Sequence, residues 1–266
     1  MSRILFLGDV CGEPGRQAVQ QLLPELKRKL QSDFVIINCE NAAGGYGITP
    51  RLAEELLRSG VNCLTTGDHV FERKEVWEYL SIEPRILRPA NLPSQAPGRG
   101  WAVFPLPEEN PIAKIVVVNL IGRVFMKPAD CPFQRINSIL GEIKGITPLI
   151  VVDFHAEATA EKRALGWFLD GRVSAVLGTH THIQTADETV QPQGTAYITD
   201  VGMCGAFDSV LGMRKDLSLR RMTELVPVRL QPAADDIRIN GVFIEIDEKT
   251  GRATRIERIC RYLESP

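Results

Sequence analysis

Short runs of aliphatic and β-branched residues, each closed by a polar one, constrain this chain most. "RILFLGD", "FVIIN", "NCLTTGD", "KIVVVNL", "LIVVDFH" and "SAVLGTH" read as strands, each bounded by Gly, Asp or Asn. Amphipathic segments such as "GRQAVQQLLPELKRKL" and "TPRLAEELLRSG" separate the early ones, so the first half alternates strand with helix as an α/β fold requires. Later, "RGWAVFPL", "GTAYITDVG" and "INGVFIEIDEKTGRATRIERI" read as strands joined by turns, with "DEKTG" as a hairpin loop. A mixed sheet or two stacked sheets is therefore expected rather than a purely parallel one. No repeat, low-complexity tract or linker divides the 266 residues, so a single domain over 1–266 is expected, with 205–238 as an irregular surface excursion over one end.

The polar residues that close these runs are not a random sample. The runs end on Asp9, on Glu40 and Asn41, on Asp68 and His69, on His155, and on His180 and His182, which places all four histidines of the chain there. In open α/β sheets ligands bind beyond the carboxyl ends of the strands, so these side chains are expected to converge. His, Asp, Glu and Asn together suit divalent metals of intermediate hardness, whereas a structural zinc site would show paired cysteines. The donors exceed the need of one ion, and two ions about 3.5–4 Å apart, sharing a bridging carboxylate, would use them. In "THTH" a continued strand would point both imidazoles to one side.

Each residue also has a plainer reading. Asp9 could cap the following helix, Asn41 and Asp68 could be turn residues, and a lone His69 or His155 could be an ordinary loop histidine. The glycines of "NAAGGYG" read as a flexible turn and match neither a P-loop nor a dinucleotide-binding fingerprint. The convergence of the whole set, rather than any one member, argues for metal.

A formal net charge of −2 gives no global attraction to nucleic acid or to an anionic membrane. No run approaches transmembrane length, and the apolar start "MSRILFLGDV" is too short for a signal peptide. The six cysteines are widely spaced without a Cys-x-x-Cys pair, which fits a reducing, cytoplasmic location.

Asp9, "GDH" at 67–69, His155 and "GTHTH" at 178–182 resemble, in order, the motifs of the calcineurin-like metallophosphoesterases. More closely, "FLGDVCGEPGR", "INCENAAGGYG", "LIGRVFM", "DFHAEATAEK", "GTHTHIQTAD" and "TDVGMCG" resemble the YmdB-like subfamily across nearly the whole chain. The resemblance implies an α/β/β/α sandwich: two mixed β-sheets flanked by helices. It also implies two divalent or mixed-valence transition-metal ions, iron or manganese before zinc, and phosphodiesterase activity on 2′,3′-cyclic nucleotides. By the same resemblance Asp9 and His182 would hold the first ion, Glu40 would bridge, and Asn41, Asp68, His155 and His180 would hold the second. His69 would be the catalytic histidine. The chain departs from the family at Asp68, where Asn is usual, and a charged ligand there is expected to hold metal more tightly while weakening it as a Lewis acid. Cys11 stands where the wider superfamily has a metal-binding His, and is read as a bystander.

The implied chemistry follows from the charges. Two cations would acidify a shared water, whose hydroxide attacks phosphorus in line with the departing ribose oxygen, while His69 supplies a proton to that oxygen. The expected partner is thus a small-molecule phosphodiester, with Tyr46 and 205–238 as candidates for base contact; a homo-oligomer is compatible with the chain. Two alternatives stay open at this point. One is a metal-dependent amidohydrolase, disfavoured because its His-x-His pair comes on the first strand. The other is a non-catalytic or slow metal- and nucleotide-binding regulator of RNA metabolism or signalling.

Overall fold

The structure is a computed structural model that describes residues 1–106 and 113–263. Its first half runs β1 (Ser2–Leu7), β2 (Asp9–Val10), α1 (Gly12–Leu30), β3 (Phe34–Asn38), α2 (Pro50–Arg58), β4 (Cys63–Thr65), α3 (Val76–Ile82), β5 (Ile86–Leu87), β6 (Trp101–Pro105) and β7 (Lys114–Ile121). There follow α4 (Pro132–Glu142), β8 (Ile150–His155), α5 (Thr159–Leu169), β9 (Ala175–Thr179), β10 (Thr189–Val190), β11 (Ala196–Ile198), β12 (Met203–Ala206), α6 (Lys215–Glu224), β13 (Ile237–Ile246) and β14 (Ala253–Tyr262). The apolar runs singled out in the sequence are strands, and the two amphipathic segments are α1 and α2, the latter capped by Thr49, whose hydroxyl accepts from Leu52 N.

Two mixed sheets result. The first has the order β2-β12-β13-β1-β3-β4-β5, with β14 joined to β13; β1, β3, β4 and β5 run parallel while β13 is antiparallel to β1. The second has the order β10-β11-β9-β8-β7-β6, parallel from β11 to β7 with antiparallel edges. "DEKTG" does join the antiparallel pair β13 and β14.

Strand alternation decides what each face packs against. In β1, Ile4 and Phe6 point between the sheets, where they meet Ile36, Val117, Val151, Leu177 and Ile244. Leu5 and Leu7 point the other way, against Leu23 of α1 and Leu56 of α2. On the far side, Val118 and Val152 pack against Ile136 of α4 and Leu165 of α5. Helix, sheet, sheet, helix is the layering expected for α/β/β/α. The carboxyl ends of β1, β3 and β4 in one sheet and of β8 and β9 in the other open at a common edge, and each strand delivers its polar residues there.

Region 205–238 is more ordered than its sequence suggests, since it holds α6. That helix buries only Ser218 and leaves Leu219 and Met222 exposed, so it carries no apolar stripe for a sequence reading to find. The six cysteines are all unpaired, and no helix among the described residues is long and apolar enough to cross a membrane.

Candidate metal centre

Glu40, Asp68, His155 and His180 offer one donor atom each within 4.8 Å of one another. Gly67 makes this approach feasible, because a Cβ at that position would collide with Glu40 Oε2 and His155 Nε2. Two of the four come from each sheet, so the cluster exists only where both sheets meet.

The hydrogen bonds behind the histidines fix which nitrogens face the cluster. Thr179 Oγ1 donates to Asp153 Oδ1 at 2.7 Å, so it accepts from His155 Nδ1 at 2.9 Å, and His155 Nε2 is left for the cluster. His180 Nε2 lies 3.1 Å from Glu157 Oε2, which leaves its Nδ1 facing inward. The two inward nitrogens are 2.9 Å apart. His155 Nε2 is also 3.0 Å from Glu40 Oε1 and 3.4 Å from Asp68 Oδ1. One proton cannot satisfy four acceptors so placed. Asp9 Oδ1 and Asp68 Oδ1 have no hydrogen-bond partner although both are buried, so the donor set fits metal cations.

Electrostatics point the same way. Burial works against a charge on His155, yet Glu40, Asp68 and Asp9 raise its pKa well above the ordinary range, so the pocket's negative field demands positive charge. Burial and the neighbouring His155 push His180 down to about 4, which keeps it a neutral donor. Burial also drives the Asp9 carboxyl well up, while His155 and His69 hold Glu40 well down in spite of burial.

Asp9 and His182 stand beside this group. Asp9 Oδ2 accepts from His180 N at 3.1 Å, and Asp9 Oδ1 lies 3.8 Å from His155 Nδ1. His182 donates from Nδ1 to Leu211 O at 3.0 Å, leaving Nε2 as an acceptor, 3.1 Å from the Asn41 amide nitrogen. Asn41 stands with His182, with His69 Nδ1 at 2.9 Å from its Oδ1, and with Glu40, to whose Oε1 its Nδ2 donates at 3.3 Å. His69 is partly exposed at the rim, its Nε2 3.6 Å from Asp68 Oδ2, and the Tyr46 ring meets it edge-on at 5.1 Å. All eight residues singled out in the sequence thus gather at one place.

The backbone at "GTHTH" differs from the expectation of a continued strand. β9 ends at Thr179, and His180 and His182 have φ of 97° and 63°. Such left-handed residues persist only when their surroundings hold them. Asp9 accepts from His180 N, and Asp200 Oδ2 accepts from both Thr181 N at 3.0 Å and Thr181 Oγ1 at 2.7 Å.

Several supporting residues escape a reading by strand ends. Asn38 donates to Asp153 Oδ2 at 3.0 Å; Asn38 closes the run "FVIIN" and Asp153 is a polar residue inside "LIVVDFH", which are the signals that could have found them. Glu157 lies two residues beyond His155 in the quoted "DFHAEATAEK" and Asp200 lies in the quoted "TDVGMCG", while Lys127, which donates to Asp68 O at 2.7 Å, carries no local signal. Over the cluster opens a cavity of about 730 Å³, lined on one side by Tyr46, His69 and the cluster's Glu40 and His180 and on the other by residues of 205–238, among them Leu211, Met213, Arg221 and Met222.

Comparison with known proteins agrees with this geometry. A family profile described as YmdB-like protein matches residues 5–259. The chain is 46% identical over 257 residues to the 2′,3′-cyclic-nucleotide 2′-phosphodiesterase of Bacillus subtilis (strain 168), covering 97% of this chain and 96% of that one. Among solved structures, a hypothetical protein from Thermus thermophilus superposes with a TM-score of 0.90 at 38% identity, over 98% of this chain and 99% of that one. A structure described as a novel phosphatase from Mycoplasma pneumoniae superposes with a TM-score of 0.92 at 36% identity, over 100% and 95%.

Proposed function

Since the chain belongs to the YmdB-like family, we propose that its 266 residues form a single-domain, metal-dependent phosphodiesterase that hydrolyses 2′,3′-cyclic nucleotides. The observation that carries this is the cluster of Glu40, Asp68, His155 and His180, in which buried and half-buried acceptors face one another with too few protons to pair them. In this reading Asp9, Asn41 and His182 hold one ion, Asp68, His155 and His180 hold the other, and Glu40 reaches both. Mixed nitrogen and oxygen donors suit iron or manganese. Such a pair of ions supplies Lewis acidity toward phosphate oxygens and a nucleophile at neutral pH.

The chain's own residues supply the rest. His69 donates from Nδ1 to Asn41 Oδ1, which frees Nε2 to carry a proton to the departing ribose oxygen. Burial lowers its proton affinity, but Glu40 and Asp68 outweigh burial and raise it, which favours the protonated acid. Tyr46 limits rotation of the ring by its edge contact. The cavity has the size of a nucleotide-scale ligand; Tyr46 and the apolar residues of 205–238 form the wall for ribose and base. Six unpaired thiols fit a reducing cytoplasm.

The test pairs elemental analysis of the purified protein with hydrolysis of 2′,3′-cyclic AMP and bis-p-nitrophenyl phosphate. About two transition-metal ions per chain, with turnover lost in chelator, is the expected result. Metal without turnover on either compound would remove the enzymatic reading. No metal under metal-replete conditions would remove the centre itself.

A further inference from the structure

A second concavity, about 1170 Å³, opens where β5 meets β6 and shares no lining residue with the cavity over the metal cluster. Among the described residues its lining includes four arginines, Arg85, Arg88, Arg99 and Arg135, and one carboxylate, that of Asp130. The protein's net charge is −2, so this concentration of positive charge is local and not a reflection of the whole surface.

Arg88 is the unusual member. It is only 6% exposed, yet no carboxylate among the described residues lies within ion-pair distance of it. Its Nη1 donates to Pro89 O at 2.8 Å and its Nη2 reaches Pro93 O at 3.5 Å and Ala96 O at 3.4 Å, all neutral acceptors, while the buried Nε has none. Burial and the like charge of Arg135 both work against this guanidinium. Burying a guanidinium is costly unless a counter-charge joins it. Arg99, on the exposed rim, makes no side-chain hydrogen bond or ion pair with any described residue. Arg85 and Arg135, by contrast, are matched by Glu83 at 2.7 Å and Glu142 at 2.9 Å.

Two guanidinium groups in one concavity, neither with a carboxylate of the described residues within ion-pair distance, fit a doubly charged oxyanion, whose geometry matches the guanidinium fork. Trp101 adds an aromatic wall beside them. We propose that this cavity binds a small phosphomonoester, with Arg88 and Arg99 taking the phosphate. A concavity rather than a stripe of charge argues for a small molecule over a polymer.

Trp101 makes the proposal testable at the site, because the chain has three tryptophans and the other two, Trp77 and Trp167, lie outside this lining. The metal-loaded protein carrying Trp77→Phe and Trp167→Phe is titrated with 5′-AMP, inorganic phosphate and adenosine while Trp101 emission is followed. Saturable changes with 5′-AMP and phosphate but not adenosine are expected. Arg99→Ala, which removes an exposed side chain without breaking an ion pair among the described residues, should weaken both by about tenfold, the loss of one charged hydrogen-bond donor, with hydrolysis of bis-p-nitrophenyl phosphate unchanged. No saturation with either phosphate compound, an equal response to adenosine, or an Arg99→Ala titration like the parent's would overturn the proposal. So would a response abolished by His180→Ala, because it would belong to the metal cluster.

Discussion

Lys162 and Asp200 form a buried ion pair, Nζ to Oδ2 at 2.8 Å, beneath the loop that carries His180 and His182. The same Oδ2 accepts from Thr181 N and Oγ1, and Oδ1 accepts from Gly202 N at 2.8 Å, so one carboxylate ties α5, the histidine loop and the turn before β12 together. Removing its charge leaves Lys162 buried and unpaired. Asp200→Asn should therefore cost about 3–5 kcal/mol in urea unfolding and lower metal content, with Lys162→Met in the same chain restoring part of the stability. A variant within about 1 kcal/mol of the parent, the scale of an ordinary hydrogen bond, would refute this account.

Catalysis and metal retention should separate between two histidines of the same site. His69 sits at the rim with Nε2 toward the cavity, whereas His180 turns Nδ1 into the cluster at 2.9 Å from His155 Nε2. His69→Ala is expected to keep its metal and lose turnover by roughly 10²–10⁴-fold, the range for a general acid. His180→Ala is expected to lose metal. Elemental analysis beside steady-state kinetics checks both, and the opposite pattern would exchange the two roles.

Strands and the donor residues were legible because both depend on local composition. "LIVVDFH" is apolar, β-branched and short, so it is a strand in any context that buries it, and its terminal His155 must then lie at a strand end. Three things were not legible, for different reasons. The left-handed backbone of His180 and His182 is imposed by Asp9 and Asp200, which are distant in sequence. The partnership of Asn41 with His182 and His69 depends on which way a loop side chain turns. The helix α6 packs little of its surface, so neither periodicity nor burial marks it.

Asp187 links stability to acid pH away from the metal cluster. Burial would raise its pKa, but Thr199 Oγ1 and N and Thr185 Oγ1 donate to it at 2.6, 3.1 and 2.7 Å and hold it below its ordinary 3.8. A carboxyl depressed in the folded state contributes stability above its unfolded value and loses it as the pH falls through the folded one. Asp187→Asn should thus be less stable than the parent at pH 7, by on the order of 1 kcal/mol given its partial exposure. The gap should close in acid, once the pH lies below the folded value. Urea titrations of both proteins at pH 7 and in acid would show it, and a gap independent of pH would mean that the charge is irrelevant.

Asp68 joins the metal cluster to the acid. Its Oδ1 lies 3.4 Å from His155 Nε2 and has no hydrogen-bond partner, its Oδ2 lies 3.6 Å from His69 Nε2, and Lys127 Nζ stands 4.0 Å away. A carboxylate there gives its ion more negative charge than an amide would, which tightens binding and weakens the ion's pull on phosphate oxygens. It also raises the proton affinity of His69. Asp68→Asn should therefore lose metal more readily in competition with a chelator and turn over faster per bound metal. Its pH profile should show the His69 limb moved to lower pH, because one of the two carboxylates that raise that group is gone. Turnover unchanged or slower, with metal lost more readily, would mean that Asp68 serves retention alone. Unchanged retention would leave the carboxylate without a role at the metal, and the shift of the His69 limb would then be its only measurable effect.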